Sequence, residues 1–137
     1  MNQEVIQFIN ENPNLFFATV ENNLPKVRPF QFMFADGEKI YFCTSNQKEV
    51  FKQVDANPNI ELSTMSPKFE WLRLNGKVKF ISDLEIKNKI IEISPLVKSI
   101  YKTGDNPIFE AFYIENWKAV IADFSGNPPK NYKSETI

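Results

Sequence analysis

The chain has 137 residues, 42% of them hydrophobic and 14% aromatic, which supplies the core of one domain and not of two. Its 16 basic and 17 acidic residues leave a formal charge of -1, so there is no broad attraction to nucleic acid or to an anionic membrane. Histidine is absent and Cys43 is the single cysteine, which excludes Ser-His-Asp and Cys-His pairs, an imidazole base, a His-containing zinc site and an internal disulfide.

Four glycines, Gly37, Gly76, Gly104 and Gly126, lie too far apart for a G-x-G-x-x-G turn or a Walker A loop. The segment after Met1 is polar, and no apolar run approaches the roughly 20 residues that cross a bilayer. The expectation is a reduced, cytoplasmic protein.

Asn2 to Glu11 places Val5, Ile6 and Ile9 at the spacing of a short amphipathic helix, stopped by Asn12-Pro13-Asn14. Leu15 to Val20 reads as a Phe-rich strand, and Glu21-Asn22-Asn23 as a hairpin turn. Lys26 to Phe34 alternates Lys26, Arg28, Phe30, Phe32 and Phe34 against Val27, Pro29, Gln31 and Met33. Both faces are substantially apolar, which predicts a strand covered on both sides. Asp36-Gly37 turns into a third strand, Lys39 to Cys43, expected to pair with the second. Ser45 is then placed to cap a helix carrying Val50, Phe51 and Val54, which ends at Asn57-Pro58-Asn59.

Ile60 to Met65 is strand-like, and Phe69 to Ile81 predicts a long strand bent or bulged at Gly76. Asp83 caps a helix with Ile86, Ile90 and Ile93, and Pro95 to Tyr101 adds a helical turn. Ile108 to Ile114 and Lys118 to Phe124 read as two closing strands across an Asn116 turn. Residues 1–126 form the single domain in this reading, and 127–137 a poorly ordered tail. The fold class is mainly β with peripheral helices: an antiparallel barrel of six or seven strands.

Three segments can carry chemistry. Thr44-Ser45-Asn46-Gln47-Lys48 sets hydroxyls and a cation at a helix N-terminus, where unpaired N–H groups favour an anion. The plain alternative is an ordinary cap with a solvated lysine. Arg28-Pro29-Phe30-Gln31 puts a cation on a Phe-rich face, and its partner is either a ligand phosphate, a carboxylate or solvent. Glu70-Trp71-Leu72-Arg73 opens the long strand, where Trp71 suits core or interface. Trp117, beside the expected turn, reads as a lid or interface residue, and Cys43 as a small buried hydrophobe.

In order and spacing these residues resemble the pyridoxamine 5'-phosphate oxidase-like family of split barrels that bind flavin mononucleotide (FMN). The resemblance rests on the Phe-rich hairpin, Arg28-Pro29-Phe30, Tyr41-Phe42-x-Thr44-Ser45, Lys48, Asn57-Pro58 and Trp71-x-Arg73-x-x-Gly76. It covers Leu15 to Ile81, more loosely to Phe124, and is nearest the general-stress-protein and nitroimidazole-reductase-like branch.

The resemblance implies a homodimer with FMN at the subunit interface and a small-molecule substrate, with a reduced nicotinamide as candidate electron donor. It implies that Arg28, Thr44, Ser45 and Lys48 hold the phosphate, that Pro29, Phe30 and Gln31 run beside the flavin ring with Met33 beyond, and that Trp71 approaches from the other subunit. The basic ring that binds substrate phosphate in true pyridoxamine phosphate oxidases is not recognisable, so vitamin B6 synthesis is not expected. An FMN-dependent oxidoreductase is the leading expectation, and a non-catalytic module for redox sensing or flavin storage the alternative. A barrel for an unrelated apolar ligand is a third. No metal, nucleic acid or membrane partner is expected.

Overall fold

The computed structural model describes residues 2–135. Helix α1 (Gln3–Glu11) leads into β1 (Asn14–Glu21) and β2 (Leu24–Gln31), joined by Asn22 and Asn23, both at positive φ (51° and 64°). That is the turn geometry whose twist matches paired antiparallel strands. Then follow β3 (Phe34–Asp36), β4 (Lys39–Ser45), α2 (Glu49–Ala56), β5 (Asn59–Met65), β6 (Trp71–Ile81), α3 (Leu84–Ile93), α4 (Pro95–Tyr101), β7 (Phe109–Ala122) and β8 (Lys130–Lys133).

All pairings are antiparallel, in the order β2-β1-β5-β6-β7-β4-β3, with β8 added to β7. The sheet curls without closing, a split barrel of eight strands where six or seven were expected. Its interior is filled by alternate residues, among them Leu15, Phe17, Ile40, Phe42, Leu72, Leu74 and Phe112. Val5 and Ile9 of α1 and Val54 of α2 join this core. A second core holds α3 and α4 against β4 and β7 through Ile90, Val97, Tyr101 and Phe109. No helix among the described residues is long and apolar enough to cross a membrane.

Several expectations need correction. Lys26 to Phe34 is two strands, because Phe32 N–H turns to the carbonyl of Pro13 while Met33 N–H turns to that of Tyr41. The chain thus passes from one edge of the sheet to the other. For that reason β4 pairs with β3 and β7, never with β2, and β2 is an edge strand whose outward face, with Val27 67% exposed, is open in the single chain.

The expected turn at Asn116 is a bulge inside one 14-residue strand, β7. Asn116 takes positive φ opposite the register shift between Asn75 and Lys77, so both strands kink together. In consequence Trp117 is 1% exposed, a core residue whose Nε1–H donates to the carbonyl of Glu38, and not a lid. Ser45 does not cap α2. It belongs to β4, and its Oγ accepts from Gln47 N–H, while Lys48 is the N-cap position.

Lastly, the segment after Gly126 is not a loose tail through its described length. Lys130–Lys133 pairs with β7, and Ser134 exchanges bonds with the Trp117 backbone. Residues 136–137 lie outside the described residues.

Candidate functional site

Because β2 and β4 never pair, a seam opens between them, and a cleft of about 440 Å³ occupies it. Four short segments of chain build its walls. β2 supplies Arg28, Pro29, Phe30 and Gln31. The end of β4 supplies Cys43 and Thr44, the start of α2 supplies Lys48, Glu49 and Val50, and α4 supplies Leu96, Val97, Ile100 and Tyr101, with Met33 between. The volume falls within the range of small-molecule sites, roughly 300 to 1,000 Å³.

Arg28 is held firmly. In β2 it lies opposite Phe17, so its side chain shares the inner face of the hairpin with Phe17 and Thr19. Its Nη1 donates to Thr19 Oγ1 at 2.8 Å and to the Phe17 carbonyl at 3.1 Å, and its Nη2 to Gln53 Oε1 at 2.6 Å. Thr19 in turn donates to Gln53 Oε1. Thr19 and Gln53 are both buried, and α2 packs on β1 at this point. All these acceptors are neutral, so the guanidinium is oriented without being neutralised. Burial pulls its pKa down, which marks a cation that has lost part of its water.

Thr44 stands across the cleft and is 3% exposed. Its Oγ1 is buried with no hydrogen-bond partner, the single such side-chain atom among the described residues. An unpaired buried hydroxyl costs roughly 1 to 3 kcal/mol, a penalty that native folds generally avoid. Lys48 is exposed at the head of α2, whose N-cap makes no side-chain hydrogen bond to the first turn. Phe30 forms the inner wall, stacked on Phe17 at 4.8 Å between centroids.

Six of the eight residues singled out from sequence therefore line one cleft: Arg28, Pro29, Phe30, Gln31, Thr44 and Lys48. Ser45 is buried next to them, outside the lining. Trp71 is not part of the lining and packs against Phe124 at 4.8 Å between centroids. The sequence reading missed Thr19, Gln53 and the α4 residues. Gln53 stands one turn after Val50 and beside Val54, a polar residue on the apolar stripe of α2, and that was the available signal.

Cys43 and Tyr101 bring a thiol and a phenol to the cleft, beside the carboxylate of Glu49. Burial pushes the Cys43 thiol up to about 12 against a smaller opposing pull from Lys48, and the residue is half-buried between the second core and the cleft, not fully buried as expected. Burial likewise raises Tyr101. A larger cleft of about 1,120 Å³ lies between α1, the β3–β4 turn and β8. Several of its polar groups pair within the chain: Glu38 accepts from Asn2 Nδ2 and from Glu135 N–H, and Tyr132 donates to Glu4.

The sequence profile described as pyridoxamine 5'-phosphate oxidase matches residues 1–116. The chain belongs to the pyridoxamine 5'-phosphate oxidase family. Among solved structures, a NimC/NimA family protein from Clostridium acetobutylicum is 32% identical, with a TM-score of 0.88 over 96% of this chain and 91% of that one. General Stress Protein 26 from Bacillus anthracis is 20% identical, with a TM-score of 0.79 over 98% and 100% of the two chains. A pyridoxamine 5'-phosphate oxidase-related, FMN-binding protein from Nostoc punctiforme is 14% identical, with a TM-score of 0.68 over 98% and 96%. The last two establish a shared family fold alone. Among curated proteins none matches the sequence.

Proposed function

We propose that this family member binds FMN in the β2–β4 cleft and acts, as a homodimer in the cytoplasm, as a flavin-dependent oxidoreductase on a small molecule. One observation carries the reading: a partly desolvated arginine with only neutral partners faces the same cleft as the orphaned hydroxyl of Thr44, at the head of α2. An anion with several acceptor oxygens, such as a phosphate monoester, completes both, and a helix N-terminus favours it further.

In this reading Arg28, Thr44, Ser45 and Lys48 hold the phosphate, with Arg28 kept in place by Thr19 and Gln53. Pro29, Phe30 and Gln31 flank the flavin ring, Met33 lies beyond, and Trp71 comes from the second copy of the chain. When bound, FMN supplies hydride and single-electron transfer, so the protein's task is position and electrostatics. Phe30, fixed by its stack on Phe17, gives the ring a rigid apolar edge that excludes water. Neither Cys43 nor Tyr101 releases a proton readily at neutral pH, so no proton is routed through them. That same scarcity favours the second reading, a non-catalytic module that senses redox state or stores flavin.

The visible spectrum of the purified protein, followed by titration with FMN, tests the cofactor. Oxidised-flavin bands and saturable quenching of FMN fluorescence are expected, and a colourless protein that leaves FMN fluorescence unchanged overturns the proposal. Addition of reduced nicotinamide without oxygen separates the two readings: bleaching of the band supports the oxidoreductase, and a persistent band across donors supports the module.

A further inference from the structure

We infer that Gln53, which lies outside the cleft lining, is a positioning residue: it orients Arg28 without neutralising it and so makes the cleft select a phosphorylated flavin over the unphosphorylated form. The inference rests on the FMN reading of the same cleft.

The chain has two arginines, and the fold treats them differently. Arg73, exposed on β6, reaches the carboxylate of Glu61 at 4.0 Å. Arg28 is half-buried, where a cation gains most from a carboxylate, yet among the described residues no carboxylate lies within ion-pairing distance of it. The carboxylate of the cleft lining, Glu49, pairs with Lys52 at 3.9 Å instead.

In place of an ion pair the fold supplies a closed ring of three side chains. Arg28 Nη1 donates to Thr19 Oγ1 at 2.8 Å, Thr19 Oγ1 donates to Gln53 Oε1, and Arg28 Nη2 donates to the same Oε1 at 2.6 Å. A guanidinium only donates, so the Gln53 amide must turn its oxygen toward it. The threonine hydroxyl, with its hydrogen on that oxygen, keeps a lone pair for Nη1. Thr19 and Gln53 are both buried, which protects the ring from competition by solvent. Gln53 also stands in the second turn of α2, so the same bond ties the strand of Arg28 to the helix whose head carries Lys48.

A carboxamide and a carboxylate have nearly the same shape and differ by one charge. With glutamate at residue 53 the ring would close equally well, but Arg28 would meet a phosphate as half of an ion pair. The neutral ring leaves the full charge of the guanidinium for the ligand. A phosphate monoester uses that charge, whereas the hydroxyl that replaces it in riboflavin does not.

The full chain, cleared of any flavin it carries, is titrated with FMN and with riboflavin, and binding is read from quenching of flavin fluorescence. The natural chain should bind FMN about tenfold more tightly or better. Gln53→Glu keeps the acceptor oxygen and adds the charge, and should weaken FMN by about tenfold or more while leaving riboflavin within about twofold. Gln53→Met removes the acceptor and adds no charge, and should weaken FMN less than the glutamate does. Thr19→Val opens the ring from the strand side with a loss similar to that of Gln53→Met, and carries the test where a variant at residue 53 fails to fold. A merely structural role would move both flavins together, so the ratio of the two affinities is the readout.

FMN selectivity that survives Gln53→Glu overturns the inference alone, as does Thr19→Val with undiminished FMN affinity, or loss of riboflavin in step with FMN. A methionine variant weaker than the glutamate variant also overturns it, because the acceptor and not the charge then decides. Failure of the natural chain to bind FMN, or equal binding of the two flavins by it, overturns the placement of a phosphate at Arg28 and the role of Gln53 with it.

Discussion

Thr44 concentrates the chemistry of the site in one atom. Its Oγ1 is buried without a partner, so the ligand-free protein carries an uncompensated polar group. Valine has nearly the same shape and no hydroxyl. Thr44→Val should therefore stabilise the ligand-free protein by about 1 kcal/mol in denaturant unfolding while weakening FMN binding, two effects of opposite sign that a merely structural threonine would not show. Arg28 and Lys48 act through charge. Charge-assisted bonds contribute roughly 1.5 to 3 kcal/mol each, so either alanine variant should raise the FMN dissociation constant by about 10- to 150-fold in fluorescence titration. Unchanged affinity in the double variant would remove phosphate from this end of the cleft. Arg28, Thr44 and Lys48 were legible in the sequence because a cation on a Phe-rich strand and hydroxyls before a helix each suggest an anion. Thr19 and Gln53 were not, since a neutral acceptor becomes a partner of Arg28 only when α2 folds onto β1.

At the scale of elements, the bulge of β7 opposite Gly76 shapes the barrel. A Cβ built on Gly76 would stand 2.5 Å from Ile114 Cγ2, 2.9 Å from the Glu115 carbonyl and 3.1 Å from Trp117 Cβ. The carbonyl belongs to the bulged strand itself and cannot swing aside. Gly76→Ala should cost about 1 to 3 kcal/mol, seen as a lower denaturant midpoint with an unchanged slope. The bend at Gly76 was legible from its isolation in a long strand, but the matching bulge at Asn116 looked like a turn. Locally a turn and a bulge share a positive φ, and only the pairing with β6 on both sides of the register shift tells them apart. β8 was missed for a related reason: its four polar residues carry no alternation strong enough to announce a strand. Tyr132 in β8 offers a pH test. Burial, then its bond to Glu4, raises the hydroxyl from 10.0 to about 12. Folding thus favours the protonated form, and this contribution is complete below about pH 10 and lost as pH rises through about 12. The tyrosinate absorbance gained in that window should be smaller by one phenol in Tyr132→Phe than in the natural chain.

For the whole molecule, the shape of the β1–β2 hairpin decides how two copies could meet. Its inner face is filled by Leu15, Phe17 and Phe30, whereas its outer face leaves Phe16 60% and Val27 67% exposed on adjacent strands. Exposed apolar groups of this size on a flat sheet favour burial against another surface. β2 is an edge strand, yet Pro25 and Pro29 remove two of its backbone donors, which opposes the addition of a further strand. Association is therefore expected face to face across this hairpin, not by extension of the sheet. The strand that presents this outer face also lines the cleft with Arg28, Pro29, Phe30 and Gln31, so the proposed dimer and the proposed flavin site share β2. Val27→Lys places a charge in the middle of that face without touching the inner core. Sizing should shift toward the monomer, and FMN affinity should fall in step with the loss of dimer as protein concentration is lowered. Trp71→Ala should leave the dimer intact and alter the flavin's absorbance, as the ring proposed to come from the partner is removed. A Val27→Lys protein that stays dimeric, or a monomer that binds FMN with full affinity, would detach the cofactor site from the second copy.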